Sequence, residues 1–101
     1  MNDLIEFIKA RLHDDERTAR EAGTTGPSGP AMFVIDDDYA HDTVAISADR
    51  VLAEVDAKRR VLGEMQSHLA DDETDQTAQW FVKIMAVPYA GHPDYRQEWA
   101  P

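Results

Sequence analysis

Four histidines, His13, His41, His68 and His92, are the side chains of this 101-residue chain best suited to proton transfer or metal ligation. No two of them stand three or four residues apart, the spacing that sets two ligands on one helix face, and there is no cysteine to supply a thiolate. A metal site would need them to converge over long range with Asp14, Asp42 or Asp94. Solvated histidines are the plainer expectation, with no metal ligand and no cofactor. His92 precedes Pro93 and reads as a loop or capping residue rather than a general base. No serine lies in a nucleophile-elbow context. The glycine-rich GTTGPSGP, residues 23–30, contains prolines, follows a helical pattern rather than a strand, and lacks the Lys-Ser/Thr ending of a phosphate loop. No catalytic residue is assigned, and a small metal-dependent enzyme is the remotest alternative.

Acidic side chains offer a second chemistry. Asp36, Asp37 and Asp38 form one run, and Asp71, Asp72, Glu73 and Asp75 form another. Carboxylates spaced like backbone phosphates could occupy the basic groove of a nuclease or other defence enzyme, making the chain an acidic nucleic-acid mimic. The plainer reading is that they solubilise loops and cap helices. Neither run fits a calcium loop, which requires glycine at its sixth position and glutamate at its twelfth.

The remaining candidates are for recognition. Lys58 falls within an apolar seam, where a long side chain can lie along the core edge and lift its ammonium to water. A single charge at such a position can instead fix the register of a homodimer. Arg59 and Arg60 lie beside it on the outer face. Trp80, Tyr89, Tyr95 and Trp99 read as core and lid, although several such rings exposed together would make a protein-binding patch.

Three helices must position these groups. The central one, Ser47 to Ala70, starts at a good N-cap residue and carries Val51, Val55, Lys58, Leu62, Met65 and Leu69 at alternating four- and three-residue steps, with Leu52 and Val61 widening the seam. The first, DLIEFIKARLHDDERTAREAG, has Asp3 as N-cap with Glu6 completing a capping box, and Gly23 as its end. Ile5, Ile8, Leu12, Ala19 and Ala22 form its seam, with Leu4 and Phe7 beside the first half. The last, TAQWFVKIMAV, is capped from Asp72 or Thr74 and stopped by Pro88. Its Thr77, Phe81, Ile84 and Val87 share a side with Trp80, and the segment should be nearly surrounded. The central seam is expected to be filled by Ile5, Ile8, Leu12, Phe81 and Ile84. The tail PYAGHPDYRQEWAP turns at Gly91 and re-enters one helical turn with Pro93 first, so that Tyr95 and Trp99 face the core together.

Between the first two helices, residues 23–30 read as a flexible connection. Met32 to Ile35 is an extended segment. YAHDTVAI is ambiguous: Thr43 to Ile46 could pair with it in a hairpin, or form a short helix, which is favoured because a lone two-stranded hairpin is marginally stable. The fold class is therefore mainly α: a single-domain helical bundle of three main helices over 1–101, plus a short extended segment or hairpin around 31–46.

Twenty acidic against ten basic residues give a formal charge of −10, which opposes binding to nucleic-acid phosphates or an anionic membrane. No apolar run reaches membrane-spanning length, and charges interrupt the apolar residues of MNDLIEFIKARLHDD, unlike a signal peptide. A cytoplasmic protein is expected.

RVLAEVDAKRRVL (50–62), PYAGHPDYRQEW (88–99) and the opening LIEFIKARLHDDERTARE resemble a family of small actinobacterial proteins of unknown function, with similar proteins in the phages of those bacteria. The resemblance implies no activity. Relatives carry a cysteine cluster just before the last helix, suggestive of zinc, where this chain has DDETDQTAQ; their Gly-Pro-Trp after the first helix is GPSGPAMF here, with Phe33 in the aromatic slot.

The functional expectation is a non-catalytic helical module that binds a protein partner through Lys58, Arg59 and Arg60 or through Tyr89, His92, Tyr95 and Trp99, with homodimerisation open. The acidic mimic is the alternative.

Overall fold

A computed structural model describes residues 1–24, 32–37 and 42–101. Three helices dominate: α1 (Asn2–Thr24), α2 (Ala48–Asp71) and α3 (Gln76–Ala86). Between α1 and α2 lies an antiparallel hairpin of β1 (Met32–Asp37) and β2 (Asp42–Ser47), with Phe33 opposite Ile46 and Ile35 opposite Val44. The hairpin replaces the short helix favoured for the segment around Thr43 to Ile46. Val34, Ile35, Thr43, Val44 and Ile46 are β-branched, and such side chains fit a pleated ladder better than a helix interior. The expected connection over 23–30 lies, from residue 25 onward, outside the described residues, as do Asp38 and His41.

The chain divides into two compact units, one of residues 1–12 with 57–101 and one of residues 13–56. In the second unit, Ala19, Ala48 and Val55 are buried. Its helix surfaces carry the ion pairs Arg17–Asp14 (3.6 Å), Arg20–Glu16 (3.9 Å) and Arg50–Glu54 (3.2 Å). Each is worth only a few tenths of a kcal/mol, roughly. Among the residues whose burial is described, the first unit buries Leu4, Ile5, Phe7, Ile8, Leu12, Leu62, Ala78, Val82, Ala86 and Trp99.

Helix ends follow local chemistry. α2 begins directly after Ser47, the expected cap position. Asp3 lies inside the first turn of α1 instead of capping it, a place where a carboxylate suits the positive end of the helix. The cap of α3 is Asp75, not Asp72 or Thr74: its carboxylate accepts the Ala78 N–H at 3.0 Å. Asp72 has another task, accepting both the Thr74 N–H (3.0 Å) and the Thr74 hydroxyl (2.6 Å), which closes the turn between α2 and α3. Replacing Asp75 with alanine removes the acceptor and is expected to cost about 1 kcal/mol. In a chain of this size that lowers Tm by roughly 4–8 °C, readable by circular dichroism.

The Thr74 side-chain and backbone donors hold the Asp72 carboxyl below its ordinary value of 3.8. A carboxyl lowered on folding adds stability above its unfolded pKa, and the contribution disappears as pH falls through the folded value. The turn should therefore stay intact near neutrality and loosen only in acid below the ordinary carboxylate range. In an NMR titration, Thr74→Ala should move the Asp72 midpoint upward. An unchanged midpoint would remove the Thr74 hydroxyl as the cause.

Pro88 ends α3 as expected. Val87–Tyr89 continues as a 3-10 turn, and Gln97–Trp99 forms another. The tail thus uses 3-10 turns in place of the α-turn expected from Pro93. Successive bonds His92 N–H to Tyr89 O (2.9 Å) and Tyr95 N–H to His92 O (3.0 Å) fold it back on itself.

Candidate functional site

The folded tail brings four rings around Phe7 of α1. Ring centroids of Tyr89, His92, Tyr95 and Trp99 stand 6.5, 5.6, 6.0 and 5.2 Å from that of Phe7, the first three edge-to-face and Trp99 tilted. Tyr95 and Trp99 also meet edge-to-face at 5.8 Å, so they do turn inward together. Two arginines close the cluster: the Arg11 guanidinium lies 5.3 Å from the Phe7 centroid and that of Arg96 5.1 Å from Trp99. Arg11 donates through Nη1 to the His92 ring, with Nδ1 at 2.9 Å. The Asp94 N–H donates to the same Nδ1 at 3.0 Å. Arg96 pairs with Asp3 at 3.2 Å.

This is a fastening. Held by Arg11 at both ring nitrogens and by the Asp94 N–H at Nδ1, the His92 ring is engaged within the fold, in keeping with its reading as a loop or capping residue. Trp99 is buried, and Tyr89, His92 and Tyr95 are half-buried. The tail rings are thus turned toward Phe7, and Trp99 does not offer a free ring to a partner.

The exposed aromatic surface is elsewhere. α3 buries Ala78, Val82 and Ala86, spaced four apart, while Trp80, Phe81, Ile84 and Val87 are 51%, 42%, 38% and 45% exposed. The expectation that Phe81 and Ile84 fill the central seam is therefore corrected. At 100° per residue the alanines and Val82 centre on one side of the helix, and the large residues centre on the side roughly opposite. Trp80 and Phe81 meet edge-to-face at 5.3 Å and form one ring pair on that open face. Val61 of α2, expected to widen the central seam, is 43% exposed as well.

The other sequence candidates are scattered. Arg59 and Arg60 are exposed and Lys58 is half-buried. Asp71, Asp72 and Glu73 are exposed in the α2–α3 turn, with Asp75 half-buried as the α3 cap. Asp36 and Asp37 end β1. His13 and His68 are exposed, and among the described residues no group of three His, Asp or Glu side chains could hold a metal. An open cleft of about 700 Å³ is lined by Asp3, Ile5, Gln66, Ser67, Leu69 and Glu73, among others. The Ser67 hydroxyl in it donates to the Gly63 carbonyl at 3.2 Å, as a helical serine commonly does. No helix is long and apolar enough to cross a membrane among the described residues.

Sequence reasoning missed the α3 face. Its signal was a short helix apolar on two sides, one lined by small residues and one by large.

Compared with known proteins, residues 1–101 match the model of a family of unknown function (DUF6221). No curated protein and no solved structure matches the chain.

Proposed function

The chain belongs to the DUF6221 family of unknown function, and we propose that it is a non-catalytic module that docks another protein on the exposed face of α3. The observation that carries this reading is the open cluster of Trp80, Phe81, Ile84 and Val87 opposite buried Ala78, Val82 and Ala86. Tryptophan and other aromatics dominate binding energy at protein interfaces, because a large rigid ring loses little entropy on contact. The Phe7-centred fastening supports this use by fixing the chain that follows α3 from Val87 onward. The phrases RVLAEVDAKRRVL and PYAGHPDYRQEW support an actinobacterial or phage setting, and the cytoplasm is the compartment we assign.

The test is a pull-down from host lysate with the wild-type chain and the double variant Trp80→Ser/Phe81→Ser, with light scattering in parallel. A partner retained only by the wild type is expected. A monomer that captures nothing, or captures the same proteins with and without the rings, contradicts the reading. The acidic-mimic alternative predicts a different pattern: binding indifferent to Trp80 and Phe81, steeply weakened by salt, and lost on changing Asp71, Asp72, Glu73 and Asp75 to their amides.

A further inference from the structure

We infer that the occupant of the α3 face is a basic amphipathic helix of another protein. The inference rests on the reading of α3 as a docking face and adds the chemistry of what docks there.

A helix, rather than a strand, follows from what α3 can offer. Its backbone donors and acceptors are engaged within the helix, so an extended peptide finds no hydrogen-bonding edge to extend. Its side chains instead form ridges. Phe81, Ile84 and Val87 make one at three-residue steps, and Trp80 with Ile84 makes a crossing one at a four-residue step. Ridges of this kind interdigitate with those of another helix.

Charge and area choose between a second copy and a different protein. With side chains of about 150–250 Å² for the rings, the four exposed residues leave on the order of 300–400 Å² of apolar surface open. A standard interface covers roughly 800 Å² per partner, so this face alone is too small for a stable homodimer. The remainder must come from contacts at its border. There the chain presents acids: between Asp71 and Val87 four carboxylates, Asp71, Asp72, Glu73 and Asp75, stand against one base, Lys83. They stand at the N-terminal end of α3. Asp75 caps α3, and Gln79, the residue before Trp80, donates through Nε2 to the Glu73 carbonyl at 2.7 Å. At 1.5 Å per residue, Asp75 lies about 7.5 Å before Trp80 along the axis, so the acids border the face at the N-terminal end of α3 rather than along its side. A second copy would bring the same acids and a charge of −10 of its own. A helix with lysines or arginines beside its apolar stripe completes the border instead. Lys83, half-buried further along α3, sets a polarity: the basic residues belong at the Asp71–Asp75 end.

Three labelled helical peptides with one Leu/Ile seam and polar faces of Lys/Arg, Gln or Glu test this by fluorescence anisotropy against the full chain. The basic peptide is expected to bind about tenfold more tightly than the Gln peptide, and the Glu peptide more weakly than either. Raising NaCl from about 50 to about 500 mM should bring the basic peptide to the level of the Gln peptide. Asp71→Asn/Glu73→Gln, which leaves the capping Asp75 and the turn-closing Asp72 in place, should erase only the basic advantage. Trp80→Ala/Phe81→Ala should weaken every peptide, with unchanged circular dichroism showing that the chain still folds. Equal, salt-insensitive binding of the basic and Gln peptides overturns the basic partner and leaves the docking face standing. Binding indifferent to Trp80 and Phe81, or absent altogether, overturns the face itself. Light scattering that finds a dimer dissolved by the double alanine variant assigns the face to a second copy and overturns the inference.

Discussion

Phe7→Ala is expected to be the most destabilising single truncation in the tail-bearing unit. The ring is buried and touches Tyr89, His92, Tyr95 and Trp99, with Arg11 beside it. Removing a buried phenylalanine ring costs about 3–5 kcal/mol from lost transfer energy and the cavity left behind. Four ring partners lose their contact together, and those losses do not simply add. Against a typical total stability of about 5–15 kcal/mol, the variant should sit close to the edge of folding. Urea denaturation measures it, and Phe7→Leu, which keeps most of the apolar volume, should cost about 1.5 kcal/mol or less if the cavity accounts for most of the loss. A loss below about 1 kcal/mol for Phe7→Ala would mean that the tail is not anchored on this ring.

The second large effect separates the two faces of α3. Val82→Asp places a carboxylate where the side chain is 0% exposed, with no partner built for it. A buried unpaired charge costs several kcal/mol, and the variant is expected to be unfolded or to melt at least about 15 °C lower. Phe81→Asp puts the same charge one residue earlier, on the open side of the helix. Its cost should stay near about 1 kcal/mol, because the ring is already 42% exposed. Binding, however, should be lost outright, since an apolar anchor becomes one more acid. Thermal melts of the two variants side by side decide the matter: similar melting losses would contradict a two-faced α3.

The contrast shows where the chain was legible and where it was not. The seam of α1 was, because Leu4, Ile5, Phe7, Ile8 and Leu12 give one apolar stripe against charged Glu6 and Lys9, and all five are buried. Ser47 and Pro88 marked their boundaries through local backbone chemistry. On α3, periodicity offered two stripes at once, Ala78–Val82–Ala86 and Thr77–Phe81–Ile84–Val87. The expectation of a nearly surrounded segment followed the large stripe, which is the exposed one. The structure buries the small stripe, and small side chains permit the closest helix approach.

The hairpin was weighed and passed over because a lone two-stranded hairpin is only marginally stable, and six residues display too little period to overrule that expectation. The cap of α3 was obscured by redundancy: Asp72, Thr74 and Asp75 are all good N-cap types, and only the geometry shows which one reaches the third residue of the helix. Arg11 with His92, and Arg96 with Asp3, stand 81 and 93 residues apart in sequence, where no local pattern can link them.

The docking role of α3 is tested most directly by an NMR titration of the isotopically labelled chain with the basic peptide. Shift changes should concentrate on the Trp80 indole N–H and on Phe81, Ile84 and Val87, and spread to Asp71 and Glu73. Changes confined to Arg59 and Arg60, or to Tyr89, His92, Tyr95 and Trp99, would contradict it.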